Sequence, residues 1–130
     1  MPRRATRLVL VASSDPACLR ARGAMARDTG AYPLPAPLVA RAIALVRKVR
    51  PSAVLVDVIL SDGRGLDLVR ALRAGETLGR VPVVLLGVAG PEERAHLSRD
   101  PHAHGLHGRD DTALGALLRG LLEDAPGAGA

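Results

Sequence analysis

One carboxylate in this chain stands where carboxylates are costly. Asp57 lies inside the run Val54-Leu55-Val56-Asp57-Val58-Ile59-Leu60, and an acid among apolar neighbours must be neutralised, paired with a cation or delivered to solvent at a strand end. A structural ion pair and a functional role both meet that requirement. The loop behind it, Ser61-Asp62-Gly63-Arg64-Gly65, consists of turn residues with two glycines and suits a tight connection beside a reactive group. Four histidines, His96, His102, His104 and His107, fall within twelve residues. Imidazole suits Zn²⁺ or Ni²⁺, but no cysteine or compact carboxylate set completes a ligand group, so the expectation is a solvated loop and no metal site. Cys18 is the single cysteine, which excludes an internal disulfide and makes packing its expected role. No phosphate-binding loop and no Ser-His-Asp or Cys-His signature is present, so the chain is not expected to be an enzyme.

The elements that must position these residues alternate. Leu8 to Ala12, Ala53 to Leu60 and Val81 to Leu86 are short, β-branched and not alternating, as strands covered on both faces are. Asp15 followed by Pro16 caps a first helix running to about Ala26. Leu38, Ala42, Val46 and Val49 mark a second helix, and Leu66, Val69 and Leu72 a short third. Gly90-Pro91-Glu92-Glu93 opens a fourth, with acids in the turn that the dipole favours. Asp110 or Asp111 opens a fifth along Leu114, Leu117, Leu118, Leu121 and Leu122. Two strands are faint: Ala31 to Leu34, whose proline places it at a sheet edge, and Gly105 to Gly108. The pattern implies an α/β doubly wound parallel sheet with right-handed crossovers, and its chemistry belongs at the carboxyl ends of the strands.

Composition sets outer limits. The 130 residues, 48% of them hydrophobic, suffice for one core, read as a domain over residues 1–124 with a linker-like tail at 125–130. No apolar run approaches the roughly 20 residues of a membrane span, and the absence of disulfides points to a cytoplasmic setting. The net charge of +5 is dispersed over several elements, and Tyr32 is the only aromatic residue, so direct nucleic-acid binding by this domain is not expected.

The segment from Pro51 to Val69, with Asp57 at the end of its apolar run, resembles the receiver domain of two-component response regulators. Val81 to Leu86 resembles that family's fourth strand and Ala103-His104-Gly105-Leu106 the approach to its fifth. The likeness spans about residues 7 to 124. It implies the flavodoxin-like receiver fold, a five-stranded sheet in order 2-1-3-4-5, with Asp57 at the phosphoacceptor position. It also exposes departures. The acidic pair that holds Mg²⁺ corresponds to Ser13 and Ser14, or in another register to Ala12 and Ser13. The phosphoryl-gripping hydroxyl corresponds to Gly87, the aromatic switch residue to Leu106 and the lysine to Arg109. Arg109 is read either as a planar clamp on Asp57 or as a surface partner of Asp110 or Asp111.

The implied function is a receiver-like signalling module acting mainly as a protein-interaction domain. Mg²⁺ binding is expected to be weak or absent, no cofactor is expected, and phosphorylation at Asp57 should be impaired or lost. The alternative is a conventional receiver phosphorylated on Asp57 by a histidine kinase and controlling an output domain, for example a DNA-binding one. Protein partners, a kinase or an output domain among them, and a homodimer through residues 91–124 are expected; a membrane partner is not.

Overall fold

The computed structural model describes residues 7–75, 78–107 and 111–124. Strands β1 (Leu8–Ala12), β2 (Tyr32–Ala36) and β3 (Ala53–Asp57) are joined by helices α1 (Pro16–Asp28) and α2 (Val39–Val46). After β3 come two short strands, β4 (Ile59–Leu60) and β5 (Gly63–Arg64), then α3 (Gly65–Ala74), β6 (Val83–Leu86), α4 (Pro91–Arg99), β7 (Ala103–Leu106) and α5 (Asp111–Asp124). The main sheet is parallel throughout, ordered β2-β1-β3-β6-β7. Counting only its own five strands, this is the 2-1-3-4-5 order.

Each sheet face has its own core. Leu10, Val54, Val56, Val83 and Leu85 meet Ala42 and Val46 of α2 and Leu66 and Leu72 of α3. Val9, Val11, Leu55, Val84 and Leu86 meet Ala26 of α1 and Leu114, Leu118 and Leu122 of α5. Burial on both sides explains why these strands read as continuous apolar runs. The α5 leucines are largely consumed here: Leu117 and Leu121 are partly buried and pack on the same core. None of the exposed large hydrophobics of the described residues, Tyr32, Leu38, Ile59 and Val88, falls in 91–124. The α5 leucines, which a dimer face through residues 91–124 would have drawn on, are therefore mostly spent inside the fold.

Local chemistry accounts for the faint elements. Tyr32 donates its N–H to Arg7 O on the β1 side. Because N–H directions alternate along a strand, Pro33 and Pro35 turn their nitrogens outward, where no partner asks for a donor. The apolar run after Ala53 is shorter as a strand than it looks: β3 stops at Asp57, and Ile59–Leu60 pair antiparallel with Gly63–Arg64. The Gly65 N–H bonds to Val58 O at 2.9 Å and draws the chain into that hairpin. α2 ends at Val46, short of Val49, and β6 begins at Val83, because Val81 is held in a turn to Leu78 O and Pro82 has no N–H for the ladder. The faint last strand is Ala103–Leu106.

Candidate functional site

β1 leads one way to β2 and then, through α2, the other way to β3, so the switch point of the sheet lies between β1 and β3. Asp57 ends β3 there, beside Leu86 of β6, and Ser13 and Ser14 follow the end of β1. The structure thus brings the sequence-derived residues Asp57, Ser13, Ser14 and Gly87 to one sheet edge.

Asp57 is already engaged. Arg22 of α1 places NH1 2.6 Å from its Oδ1, with side chains only 11% and 19% exposed. Asp15 fixes this arrangement by capping α1, accepting the Ala17 N–H at 2.9 Å. Arg22 lies about two turns into the helix, and helical side chains tilt toward the N-terminus, so its guanidinium reaches back to the carboxyl edge of the sheet. In the sequence Arg22 is one of many dispersed cations. The available signal was the spacing Asp15, Cys18, Arg22, which puts all three on one face of α1. Cys18 donates from Sγ to Asp15 Oδ2 at 3.5 Å; burial pushes its thiol up, against the pull of Arg22.

Both serine hydroxyls tie the edge together. Ser13 is fully buried and its Oγ accepts the Asp15 N–H at 3.2 Å. Ser14 Oγ donates to Pro37 O at 2.6 Å, accepts the Ser61 N–H at 2.8 Å and lies 3.1 Å from Ser61 Oγ. The hairpin is pinned further by Asp62, which accepts the N–H groups of Val39 at 2.7 Å and Ala40 at 3.1 Å. α2 carries no cap of its own, since Leu38 precedes it, and borrows one across space. The bond from Ala40, then that from Val39, holds the Asp62 carboxyl below its ordinary value.

As a magnesium site this donor set is a poor fit. The ion prefers one or two carboxylates plus waters in octahedral array, whereas here two hydroxyls are spent on backbone groups and the carboxylate is spent on a guanidinium. Among the described residues, no group of three or more His, Cys, Asp or Glu is placed to hold a metal. His96 is engaged elsewhere, its Nε2 2.7 Å from Asp100 Oδ2 at the amino end of β7. Gly87 adopts φ +126° and donates its N–H to Leu106 O at 3.0 Å, and Leu106 packs on the α1/α5 core. Arg109 lies outside the described residues; the cation on Asp57 within them is Arg22.

No protein-family model matches the chain, and no curated protein sequence does. Solved structures do. A chemotaxis protein, CheY4, of Vibrio cholerae superposes with TM-score 0.77 at 21% identity, covering 88% of this chain and 98% of that one. A response regulator receiver protein of Pseudomonas putida gives 0.77 at 24% identity, covering 93% and 98%. The receiver domain of a Pseudomonas aeruginosa sensor histidine kinase, solved with a magnesium ion coordinated in its active-site cleft, gives 0.74 at 23% identity, covering 92% and 97%. Strand order, parallel register and these near full-length superpositions agree: the chain has the fold of the response-regulator receiver domain.

Proposed function

We propose that the chain is a receiver-type signalling module that works mainly as a protein-interaction domain, with phosphorylation at Asp57 impaired or absent. The observation that carries this reading is the Arg22–Asp57 pair. A phosphoacceptor carboxylate must be free to attack and needs a metal or an equivalent charge on the incoming anion. Here one oxygen is held by an arginine, the metal-ligand positions are serines, and Gly87 offers no hydroxyl. Magnesium affinity should be weak for the same reason. We read residues 1–124 as the domain and 125–130 as a linker-like tail, with a histidine kinase or an output domain as natural partner classes. No helix of the described residues is long and apolar enough to cross a membrane.

The test is intact-mass measurement after treatment with acetyl phosphate and Mg²⁺. The parent should gain no phosphoryl group; stoichiometric gain would overturn the reading and favour a conventional receiver. The companion variant is Ser13→Asp with Ser14→Asp. It should create a melting-temperature increase with millimolar Mg²⁺ that the parent lacks, since added carboxylates supply hard oxygen ligands. Without metal it should be several kcal/mol less stable, because Ser13 is wholly buried and an unpaired buried charge is expensive. Equal Mg²⁺ responses in the two proteins would show that the pair is misplaced. Self-association through residues 91–124 has little exposed apolar surface to draw on, and light scattering showing a monomer at all concentrations would dismiss it.

A further inference from the structure

We propose that α4 is a charge-strapped helix that opens as a unit, held at both ends by arginines, Arg64 at the cap of α3 and Arg73 in its last turn, rather than by an apolar seam. The only residue of α4 buried outright is an acid, Glu93. Its carboxylate takes the Arg64 fork, with NH2 at 2.7 and 2.8 Å and Nε at 3.2 Å, and turns back to accept the Gly90 N–H at 2.8 Å. Arg64 is itself fixed at the start of α3, its backbone N–H on Asp67 Oδ2 at 3.4 Å. At the far end, Arg73 in the last turn of α3 meets Asp100, the C-cap of α4, at 2.6 Å. Between them the exposed Arg70 lies 3.7 Å from Glu92. All three arginines come from the α3 side and all three acids from the α4 side. The apolar anchor is Leu97 alone, partly buried and set against Gly105 of β7.

Helices ordinarily hold to a domain by an apolar stripe, whose contacts decay gradually as the helix shifts. A forked guanidinium–carboxylate bond is directional and is lost over a short displacement. A helix held chiefly by such bonds has two states, strapped and open. Its opening should therefore lie well below global unfolding, as a separate cooperative unit. The strap also runs back through Arg64 and the β4–β5 hairpin to Val58, next to Asp57, so the hairpin and the start of α4 cannot move independently. This inference does not depend on whether Asp57 is phosphorylated.

Hydrogen exchange with mass spectrometry on the full chain tests it. Amides from Arg94 to Asp100 should exchange faster than those of β1 and β3 in the parent protein. Arg64→Gln should accelerate the α4 amides at least tenfold and leave β1 and β3 unchanged. Arg64→Lys, which keeps the charge and loses the fork, should fall between parent and Gln variant and serves if the Gln variant fails to fold. Exchange of α4 in step with β3 in the parent, or uniform acceleration of all elements in either variant, would overturn the proposal.

Discussion

Gly65→Ala is expected to cost about 4 kcal/mol or more, a large share of the roughly 5–15 kcal/mol of a domain of ordinary stability, and to shift its unfolding midpoint sharply downward. Helix propensity alone predicts the opposite sign, since Gly65 opens α3 and alanine is favoured over glycine by about 1 kcal/mol within helices. The environment decides. A Cβ on Gly65 would stand 2.1 Å from the backbone oxygen of Asp57 and 3.0 Å from Val56 Cγ2, and backbone at the end of a central strand hydrogen-bonded on both sides has nowhere to retreat. The site carboxylate is thus delivered by a crossing that only glycine permits. Gly120→Ala, on α5 where nothing lies within 4 Å of the added carbon, is the control and should stabilise by about 0.5–1 kcal/mol. Chemical denaturation followed by circular dichroism compares the two; equal effects would mean the α3 start is pliable.

Asp100→Ala is expected to destabilise by about 3 kcal/mol, lowering the melting temperature by roughly 10 °C. Asp100 joins three elements: it receives Arg73 Nε at 2.6 Å and His96 Nε2 at 2.7 Å on one oxygen and the His102 N–H at 2.9 Å on the other. Burial pushes its carboxyl up, but Arg73, the His102 N–H and His96 outweigh that and bring it from 3.8 down to about 2. A carboxyl whose folded value is depressed stabilises the fold above its unfolded value and loses that contribution as acid protonates it. Thus about 2 kcal/mol should be fully present above roughly pH 4 and disappear as pH falls toward 2. Glu93 adds to the same acid limb: burial raises its carboxyl, and Arg64 with the Gly90 N–H more than compensates. In Asp100→Asn the stability curve should be flatter between pH 4 and 2 than in the parent. An unchanged acid limb would mean that the pair does not control it.

The sheet was largely legible because its central strands are covered on both faces and must be apolar from end to end. Leu8–Ala12 and Val83–Leu86 carry that constraint in their composition. Proline spacing placed β2 at an edge, since a missing donor is tolerated in few other positions. What the chain order hides is pairing across distance. Arg22 and Asp57 are 35 positions apart, and the helical spacing of Asp15, Cys18 and Arg22 shows a shared face but not which carboxylate that face meets. Glu93 reads as a first-turn acid favoured by the helix dipole; Glu92 beside it is exposed, and only the fold reveals that Glu93 is enclosed by Arg64. Asp62 looks like a turn residue and serves as the cap of another helix. The Ser13 hydroxyl bonds to the nearby Asp15, but the work of Ser14 as a tie between the β1 end, Pro37 and Ser61 depends on loops that meet only after folding.

Gly87 carries a consequence for how such a module can change. At φ +126° the backbone occupies territory that side chains with a Cβ rarely enter, and a branched residue such as threonine is especially ill suited to it. The space beside it is not the obstacle, since an added carbon would rest at ordinary contact with Val58, 3.6 Å away. A hydroxyl residue placed here would require the β6–α4 turn to be rebuilt first. The turn therefore accepts glycine and resists, through its backbone alone, any side chain put in its place.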